Sequence, residues 1–227
     1  IHVNGFLTIN GEKLSKSRGN FINARDYLTT LSPCYLRYYF AAKLNNHIED
    51  IDFNLEDFKN RVNADLIGKY VNLASRSAGF ITKYFEGRLA TTLDTPEILE
   101  KFAAAQDGIA EDFEHLALSQ VIRKIMELAD MANQYVAEKA PWKMIKEENQ
   151  REATQQVCTT ILNLFRILSI YLKPIIPATV EKVEAFLNIK PLNWQDIATP
   201  LLDHMINSFE PLLQRVEDAQ LNNLLIK

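Results

Sequence analysis

The sequence predicts a mainly α-helical protein in which an antiparallel helix bundle follows a small α+β unit. Glycine is scarce, with 7 residues in 227, and charged residues reach 24%, a composition that favours helices. Apolar residues recur at spacings of three and four from position 55 onward, which is the period of a core-facing helix stripe. Strand-like patterns are confined to residues 3–9 and 48–53. Together these observations predict a bundle with one short mixed segment before it.

The mixed segment begins with a predicted hairpin. Residues 3–9 are rich in β-branched and aromatic side chains, and Asn10-Gly11 directly follows them, the strongest short signal for a hairpin turn. Ser32-Pro33 is an N-cap followed by proline at the first helical position, so an aromatic-rich helix is expected from there to about Asn45. Residues 48–53 alternate polar and apolar side chains and predict a short strand.

The bundle is predicted to begin at Asn54, which caps a long helix reaching about Ile81. Further helices are expected over 95–115, 119–139, 152–172 and 177–188, with a break at 140–142, and residues 209–225 are compatible with one more. We therefore divide the chain into a unit of residues 1–53 and a helical domain of residues 54–227. Because no flexible linker separates the two units, we expect them to pack together.

The composition limits the classes of function. A net charge of −4 and an isoelectric point near 5.7 mean that RNA could be attracted only by a local basic patch. Cys34 and Cys158 have no metal-type spacing, the four histidines are scattered, and no metal site is expected. No signal peptide is visible, and the apolar stretch 161–172 contains Asn163 and Arg166 and is too short to span a bilayer. We expect no membrane partner and a cytoplasmic location.

The segment with the clearest chemical signal is residues 13–17, Lys-Leu-Ser-Lys-Ser. Lys13 and Lys16 are mobile cations, and the two serine hydroxyls are hydrogen-bond donors, a combination that suits polyphosphate. When a carboxylate attacks the α-phosphate of ATP, negative charge moves toward pyrophosphate, and cations placed there stabilise the transition state. The alternative is a solvated basic turn.

A second candidate site lies on the long helix. Asn72 and Arg76 are one turn apart, and the α-helical period places Asp65, Lys69 and Lys83 on the same face. Asparagine can read a base edge through paired hydrogen bonds, and arginine can do the same or hold a phosphate. The alternative is a solvated polar helix face.

A third candidate is Trp142, which follows Pro141 in the break between two helices. A rigid indole beside proline is a platform for an unstacked base, and Lys143 and Lys146 add positive charge nearby. The alternative is a tryptophan that covers the end of the core.

These motifs share a resemblance to one family. Residues 13–17 resemble the Lys-Met-Ser-Lys-Ser signature of class I aminoacyl-tRNA synthetases, with Leu14 in place of methionine, and the flanks 5–12 and 18–22 look like methionyl-tRNA synthetases. Residues 61–66 and 71–76 resemble the helix with which these enzymes bind the anticodon. Ala140-Pro141-Trp142 resembles their anticodon-stacking segment.

The resemblance implies roles for individual residues. Lys13 and Lys16 would be catalytic, and Lys13, Ser15, Lys16 and Ser17 would contact the ATP phosphates. Asn72, Arg76 and Trp142 would read the CAU anticodon, with Pro141 supporting the indole. Gly68 and Ala137 depart from some bacterial members, which bears on the finer discrimination between anticodons.

The resemblance also implies an architecture and partners. Residues 1–53 look like the stem-contact unit, and residues 54–227 look like the anticodon-binding domain with its tail. The full-length enzyme would be an ATP-dependent methionine–tRNA ligase using ATP and Mg²⁺, with zinc only in an absent N-terminal part, if at all. Because the chain starts at Ile1 without methionine, we expect a C-terminal fragment that is inactive alone. Its partners would be the tRNA anticodon stem-loop and the missing N-terminal catalytic domain.

Two other interpretations remain open at this point. The chain could be a fragment of another class I synthetase, isoleucyl or cysteinyl, which would prefer a different triplet. It could also be a non-catalytic helical interaction module, which the net charge of −4 favours and which predicts no RNA binding.

Overall fold

The computed structural model describes residues 3–15 and 21–224. The first part of the chain is a mixed unit with three strands and two helices: β1 (Leu7–Ile9), β2 (Glu12–Lys13), α1 (Ala24–Thr30), α2 (Pro33–Lys43) and β3 (Ile51–Phe53). The Ser32 side chain accepts a hydrogen bond from the Cys34 N–H and caps α2, as the Ser-Pro pair predicts.

The three strands form one small sheet in the order β2-β1-β3. β1 pairs antiparallel with β2 and parallel with β3, with Thr8 opposite both Lys13 and Asp52. Asn10 and Gly11 connect β1 to β2 with φ angles of 49° and 79°, the left-handed values that a tight hairpin turn requires. The predicted Asn-Gly hairpin is therefore confirmed.

An aromatic cluster joins this unit to the helix that follows. The ring of Tyr39 meets those of Phe53 and Phe58 edge to face at centroid distances of 5.5 Å, and Phe53 and Phe58 are 5.2 Å apart. All three residues are buried in the same core cluster as the bundle helices. Packing thus crosses position 53/54 without a gap, and the division of the chain at that point stays a prediction.

The rest of the described chain is predominantly helical, in agreement with the predicted fold class. A long helix has three parts: α3 (Leu55–Arg61), a π-helical segment (Val62–Val71) and α4 (Asn72–Tyr84). It is followed by α5 (Pro96–Ala104), α6 (Gln106–Glu114), α7 (Leu118–Lys139), α8 (Pro141–Met144), a 3₁₀ turn (Glu148–Gln150), α9 (Arg151–Leu172), α10 (Pro177–Leu187), a second 3₁₀ turn (Trp194–Ala198) and α11 (Asp218–Asn222).

Several elements differ from the sequence prediction. The helix expected over 95–115 is interrupted at Ala105, and α1 was not predicted, because it buries only Tyr27 and shows no apolar stripe. Within 209–225 the described helix is limited to α11. Before this region, residues 203–206 pair with 87–90 around an antiparallel bridge between Arg88 and Met205, where Leu89 N–H donates to His204 O at 2.8 Å and Asp203 N–H to Ala90 O at 2.9 Å.

Helix α9 lies at the centre of the bundle. Every residue from 157 to 172 is buried, and α4, α5, α7 and α10 all pack against this helix. Its buried polar side chains bind the C-terminal segment: Asn163 exchanges two hydrogen bonds with the backbone of Leu201, and the Arg166 guanidinium donates to Asp196 O at 3.0 Å. These hydrogen bonds compensate for the loss of contact with water, so α9 can carry single polar side chains and still be buried on all sides.

We predict that Tyr70→Phe lowers the unfolding free energy by about 1 kcal/mol, because it removes a buried hydrogen bond of 2.7 Å between Tyr70 Oη and Ser169 Oγ. The phenylalanine ring should keep the stacking on Phe165, whose centroid is 4.7 Å away. Thermal denaturation should show a midpoint about 2–4 °C lower. Tyr84→Phe is the control, because in the described chain the Tyr84 hydroxyl forms no hydrogen bond. Equal shifts in both variants would contradict the prediction.

Candidate nucleic-acid interface

The lysine loop begins on the hairpin of the mixed unit. Lys13 is exposed at the end of β2, and Ser15 is partly buried two residues further on. Asp52 fixes the hairpin beneath them, because its Oδ1 accepts hydrogen bonds from the Gly11 N–H at 2.8 Å and the Thr8 hydroxyl at 2.7 Å. Lys16 and Ser17 lie outside the described residues, so the structure positions only the first half of the predicted ATP-phosphate loop.

The π-helical segment ends directly before Asn72, the first candidate base reader. In a π-helix each carbonyl accepts from the residue five positions later, whereas in an α-helix it accepts from the fourth. Where the pattern returns to α, one carbonyl in the last turn is passed over and needs another donor. Two carbonyls in this turn accept side-chain amides: Gly68 O from Asn72 Nδ2 at 3.2 Å, and Lys69 O from Asn133 Nδ2 at 3.1 Å.

Asn133 belongs to α7 and was not identified from the sequence. Its amide also donates to Ala129 O at 2.8 Å, and the neighbouring Asp130 accepts from Lys69 Nζ at 2.8 Å. These contacts dock the end of the π-helical segment on α7. A weak signal for the segment exists in the sequence, because its fully buried residues Val62, Leu66 and Tyr70 are spaced by four.

Asn72 and Arg76 lie one turn apart on α4, as predicted. Asn72 is partly buried, and Arg76 is exposed, with no hydrogen bond or ion pair to its guanidinium in the described residues. The predicted common face does not extend to Asp65, whose carboxylate accepts from the Tyr38 hydroxyl of α2 at 2.8 Å. The reason is the π-helical segment, because its wider turns rotate the residues before Asn72 relative to those after it.

The segment Ala140-Pro141-Trp142 connects α7 to α8 through a strained residue. Ala140 has φ 48° and ψ 61°, a left-handed conformation that costs a residue with a Cβ about 1–2 kcal/mol. Its N–H closes α7 on Val136 O at 2.9 Å, and its carbonyl begins α8 by accepting from the Lys143 N–H at 2.7 Å. Pro141 is buried as the first residue of α8, which fixes the direction in which the chain leaves the turn.

Trp142 points away from the core. Its exposed fraction is 38%, and it belongs neither to the buried core cluster nor to the partly buried residues packed against that cluster. Among the described aromatic side chains, none forms a ring contact with its indole. The structure thus places Trp142 outside the described core cluster, and its stacking role stays a prediction.

Asp94 holds the last turns of α7 in front of Ala140. Its Oδ2 accepts from Thr95 Oγ1 at 2.6 Å, Tyr135 Oη at 2.9 Å and Lys139 Nζ at 2.6 Å. Burial alone would raise the pKa of Asp94, but the three hydrogen bonds and the Lys139 charge outweigh it and hold the pKa below its ordinary value. No sequence motif indicates this role, because Tyr135 and Lys139 come near Asp94 only after folding.

The helix packing places the three candidate base readers on neighbouring parts of α4 and α7. The long helix runs antiparallel to α9, because Tyr70 contacts Phe165 and, further along, the Tyr84 carbonyl accepts from Arg151. Near the end of α7, Asn133 donates to the Lys69 carbonyl, three residues before Asn72. The start of α4, which carries Asn72 and Arg76, therefore lies beside the last turns of α7, which lead to Trp142.

The charge in this region is mixed but includes several exposed cations. Arg76, Lys83, Lys143 and Lys146 are exposed, while Glu147 and Glu148 are exposed beside them.

The described residues contain no helix long and apolar enough to cross a membrane. In the same part of the chain, no group of three or more His, Cys, Asp or Glu side chains is arranged to hold a metal ion.

Both parts of the described fold match models of known families. Residues 1–78 match the family described as tRNA synthetases class I (M), and residues 92–224, more than half of the chain, match the anticodon binding domain of methionyl tRNA ligase. The chain belongs to the methionyl-tRNA synthetase family. This membership decides against the isoleucyl and cysteinyl alternatives and against an unrelated helical module.

Solved structures of methionyl-tRNA synthetase from Mycobacterium tuberculosis have the same fold. A complex with methionyl-adenylate superposes with a TM-score of 0.83 at 23% identity, covering 92% of this chain and 43% of that one. A second structure bound by methionyl-adenylate gives 0.80 at 21% identity over 91% and 42%, and an apo form gives 0.79 at 19% over 95% and 43%. The chain thus spans less than half the length of these relatives.

We predict that Asp94→Asn lowers the unfolding free energy by about 1–2 kcal/mol at pH 7, because the hydrogen bonds to a charged acceptor are weakened. A depressed pKa stabilises the folded state above the unfolded pKa near 3.9, and this contribution is lost as the pH falls through the folded pKa. The difference between wild type and variant in urea denaturation should therefore shrink between pH 7 and pH 3.

Glu127→Gln is the control for this prediction. Its carboxylate is 3.9 Å from Arg123 Nε on the exposed face of α7, where an ion pair contributes about 0.5 kcal/mol or less. A pH-independent difference for Asp94→Asn, or an equal effect of the control, would contradict the assigned role of Asp94.

Proposed function

We propose that this chain binds the anticodon stem-loop of a tRNA with the triplet CAU, as part of an enzyme that joins methionine to that tRNA. The observation that carries the proposal is the placement of Trp142. Its indole is substantially exposed and outside the core, and it follows the strained Ala140 and the buried Pro141. A large aromatic side chain held outward by a rigid turn is suited to stacking on a base that has left its own helix.

Asn72 and Arg76 supply the polar contacts in this proposal. The Asn72 amide can donate and accept at once, as paired recognition of a base edge requires, but its Nδ2 is bonded to Gly68 O in the free chain. Base reading would exchange that bond for one to RNA. The Arg76 guanidinium has no competing partner in the described chain and can meet a base edge or a phosphate directly.

Affinity would depend on local charge, because the chain as a whole carries −4. Lys83, Lys143 and Lys146 are the exposed ammonium groups close to the proposed readers. Binding of a stem-loop should therefore weaken as salt is added, since each phosphate contact releases counterions.

Lys13 and Lys16 are proposed to act in the activation step. There a methionine carboxylate oxygen attacks the α-phosphorus of ATP, forming the adenylate and releasing pyrophosphate, and the lysine charges stabilise the pyrophosphate. Ser15 and Ser17 would donate hydrogen bonds to phosphate oxygens.

ATP and Mg²⁺ are requirements of the whole enzyme. A cytoplasmic location fits this role in protein synthesis.

We predict that Trp142→Ala weakens binding of a CAU stem-loop about 5- to 100-fold, the loss of one stacked base, while leaving thermal stability nearly unchanged. Titration calorimetry and thermal denaturation measure the two effects. The matched control is Trp194→Ala. Trp194 packs on Tyr171 at a centroid distance of 5.3 Å and on Phe113 at 6.5 Å, so its loss should lower the melting temperature. Unchanged affinity for Trp142→Ala would refute the stacking role.

We further predict that the 227-residue chain alone gives no methionine-dependent exchange of pyrophosphate into ATP. Turnover requires both substrates to be held in position, and Lys13 is an exposed residue at the end of a short hairpin. Exchange above the level of a buffer blank, abolished by a Lys13→Ala substitution, would show that the chain contains a working activation site.

A further inference from the structure

The exposed side of α4 continues past Arg76 into an aromatic pair. Phe80 and Tyr84 are four residues apart and their rings are stacked, with centroids 6.2 Å apart and planes inclined by 18°. Both residues are partly buried, and Tyr84 occupies the last turn of α4. Phe80 packs against the core cluster, whereas Tyr84 does not. The outer ring of the pair is therefore backed by a supported inner ring.

Two cations lie at the aromatic residues that end α4. The Lys83 ammonium lies over the Tyr84 ring, 5.0 Å from its centroid, and because Lys83 is an exposed side chain on a flexible stem, an incoming base can displace it toward a phosphate. Arg151, exposed at the start of α9, donates from Nη2 to the Tyr84 carbonyl and lies over the ring of Phe85 at 5.3 Å. Glu86 and Glu152 are exposed nearby and reduce the net positive charge. Aromatic rings with lysine or arginine beside them are the common composition of single-stranded nucleic-acid sites.

The spacing along α4 separates this pair from the base readers. Arg76 and Tyr84 are eight residues apart, which is about 12 Å along a helix axis. Three stacked bases span only about 7 Å, because successive bases lie about 3.4 Å apart. A triplet held by Asn72, Arg76 and Trp142 therefore leaves Tyr84 to a different nucleotide of the same strand.

We propose that Tyr84, backed by Phe80, is a second stacking platform that takes a base of the anticodon loop outside the triplet. Lys83 and Arg151 contact the adjoining phosphates. This inference rests on the proposed binding of an anticodon stem-loop. It assigns the platform a contribution to affinity that is independent of the triplet sequence, because every base has a face that can stack.

The first test is a titration of the 227-residue chain with a CAU stem-loop. Tyr84→Leu should weaken binding about 5- to 50-fold and Tyr84→Phe less than twofold, because phenylalanine keeps the ring. Phe6→Leu, at a side chain with an exposed fraction of 79% in the mixed unit, is the control and should bind as wild type. If Tyr84→Leu proves unstable in thermal denaturation, Tyr84→Trp should retain wild-type affinity.

A salt series tests the phosphate contacts. Lys83→Gln should reduce the slope of log K against log salt concentration by about 0.7, the value for one phosphate of a single strand. Lys101→Gln, at an exposed lysine of α5, is the matched control and should leave the slope unchanged. An unchanged slope for Lys83→Gln would overturn that contact.

A double-mutant cycle identifies the base. Stem-loops with an abasic nucleotide at each loop position outside the triplet are titrated with wild type and with Tyr84→Leu. At the loop position that stacks on Tyr84, removing the base should cost wild type as much affinity as the Tyr84→Leu substitution costs with the intact stem-loop. Combining the abasic nucleotide with Tyr84→Leu should cost no more than either change alone. If Trp142→Ala weakens binding while Tyr84→Leu binds as wild type, the platform is refuted and the proposed function stands. If wild type binds no stem-loop, both are refuted.

Discussion

The complete burial of α9 is the constraint on which the rest of the bundle depends. A helix with no exposed position from 157 to 172 needs apolar partners on every side, and α4, α5, α7 and α10 supply them. Its buried polar groups also need hydrogen-bond partners, and Asn163 and the terminal nitrogens of Arg166 find them on the backbone of residues 196–201, while the Arg166 Nε has no partner in the described chain. The register of α4 and α7 at the candidate interface is thus set by packing on α9.

Two departures from regular backbone geometry lie beside the proposed base readers. The π-helical segment ends at Asn72, and the left-handed Ala140 precedes Trp142 by two residues. Each would be unfavourable alone and is held by tertiary contacts. Asn133 supplies a donor to the last π turn, and Asp94 fixes the end of α7. Irregular backbone that is held in place by surrounding contacts is concentrated at functional sites. Its position here supports the assignment of a functional site to this part of the bundle.

Features decided within a few residues could be predicted from the sequence, and those decided by distant partners could not. Asn10-Gly11 and Ser32-Pro33 carry their own turn and cap chemistry, and the apolar stripes give most helices within one or two residues. The π-helical segment is different, because an amide from α7, some 64 residues away, satisfies its last turn. Asp94 and Asn133 are single polar residues without a motif. The exposure of Trp142 depends on how neighbouring helices pack, so its pattern alone left two interpretations open.

The small sheet has a consequence for the order in which the chain assembles. β1 is the central strand, and its parallel partner β3 lies 44 residues later, so the sheet can close only after α1 and α2 have folded between them. Such a distant pairing of three-residue strands forms late and opens early. Amide hydrogen exchange should therefore be fastest in this hairpin among the paired segments. Lys13 would then lie on the first of the described paired segments to open.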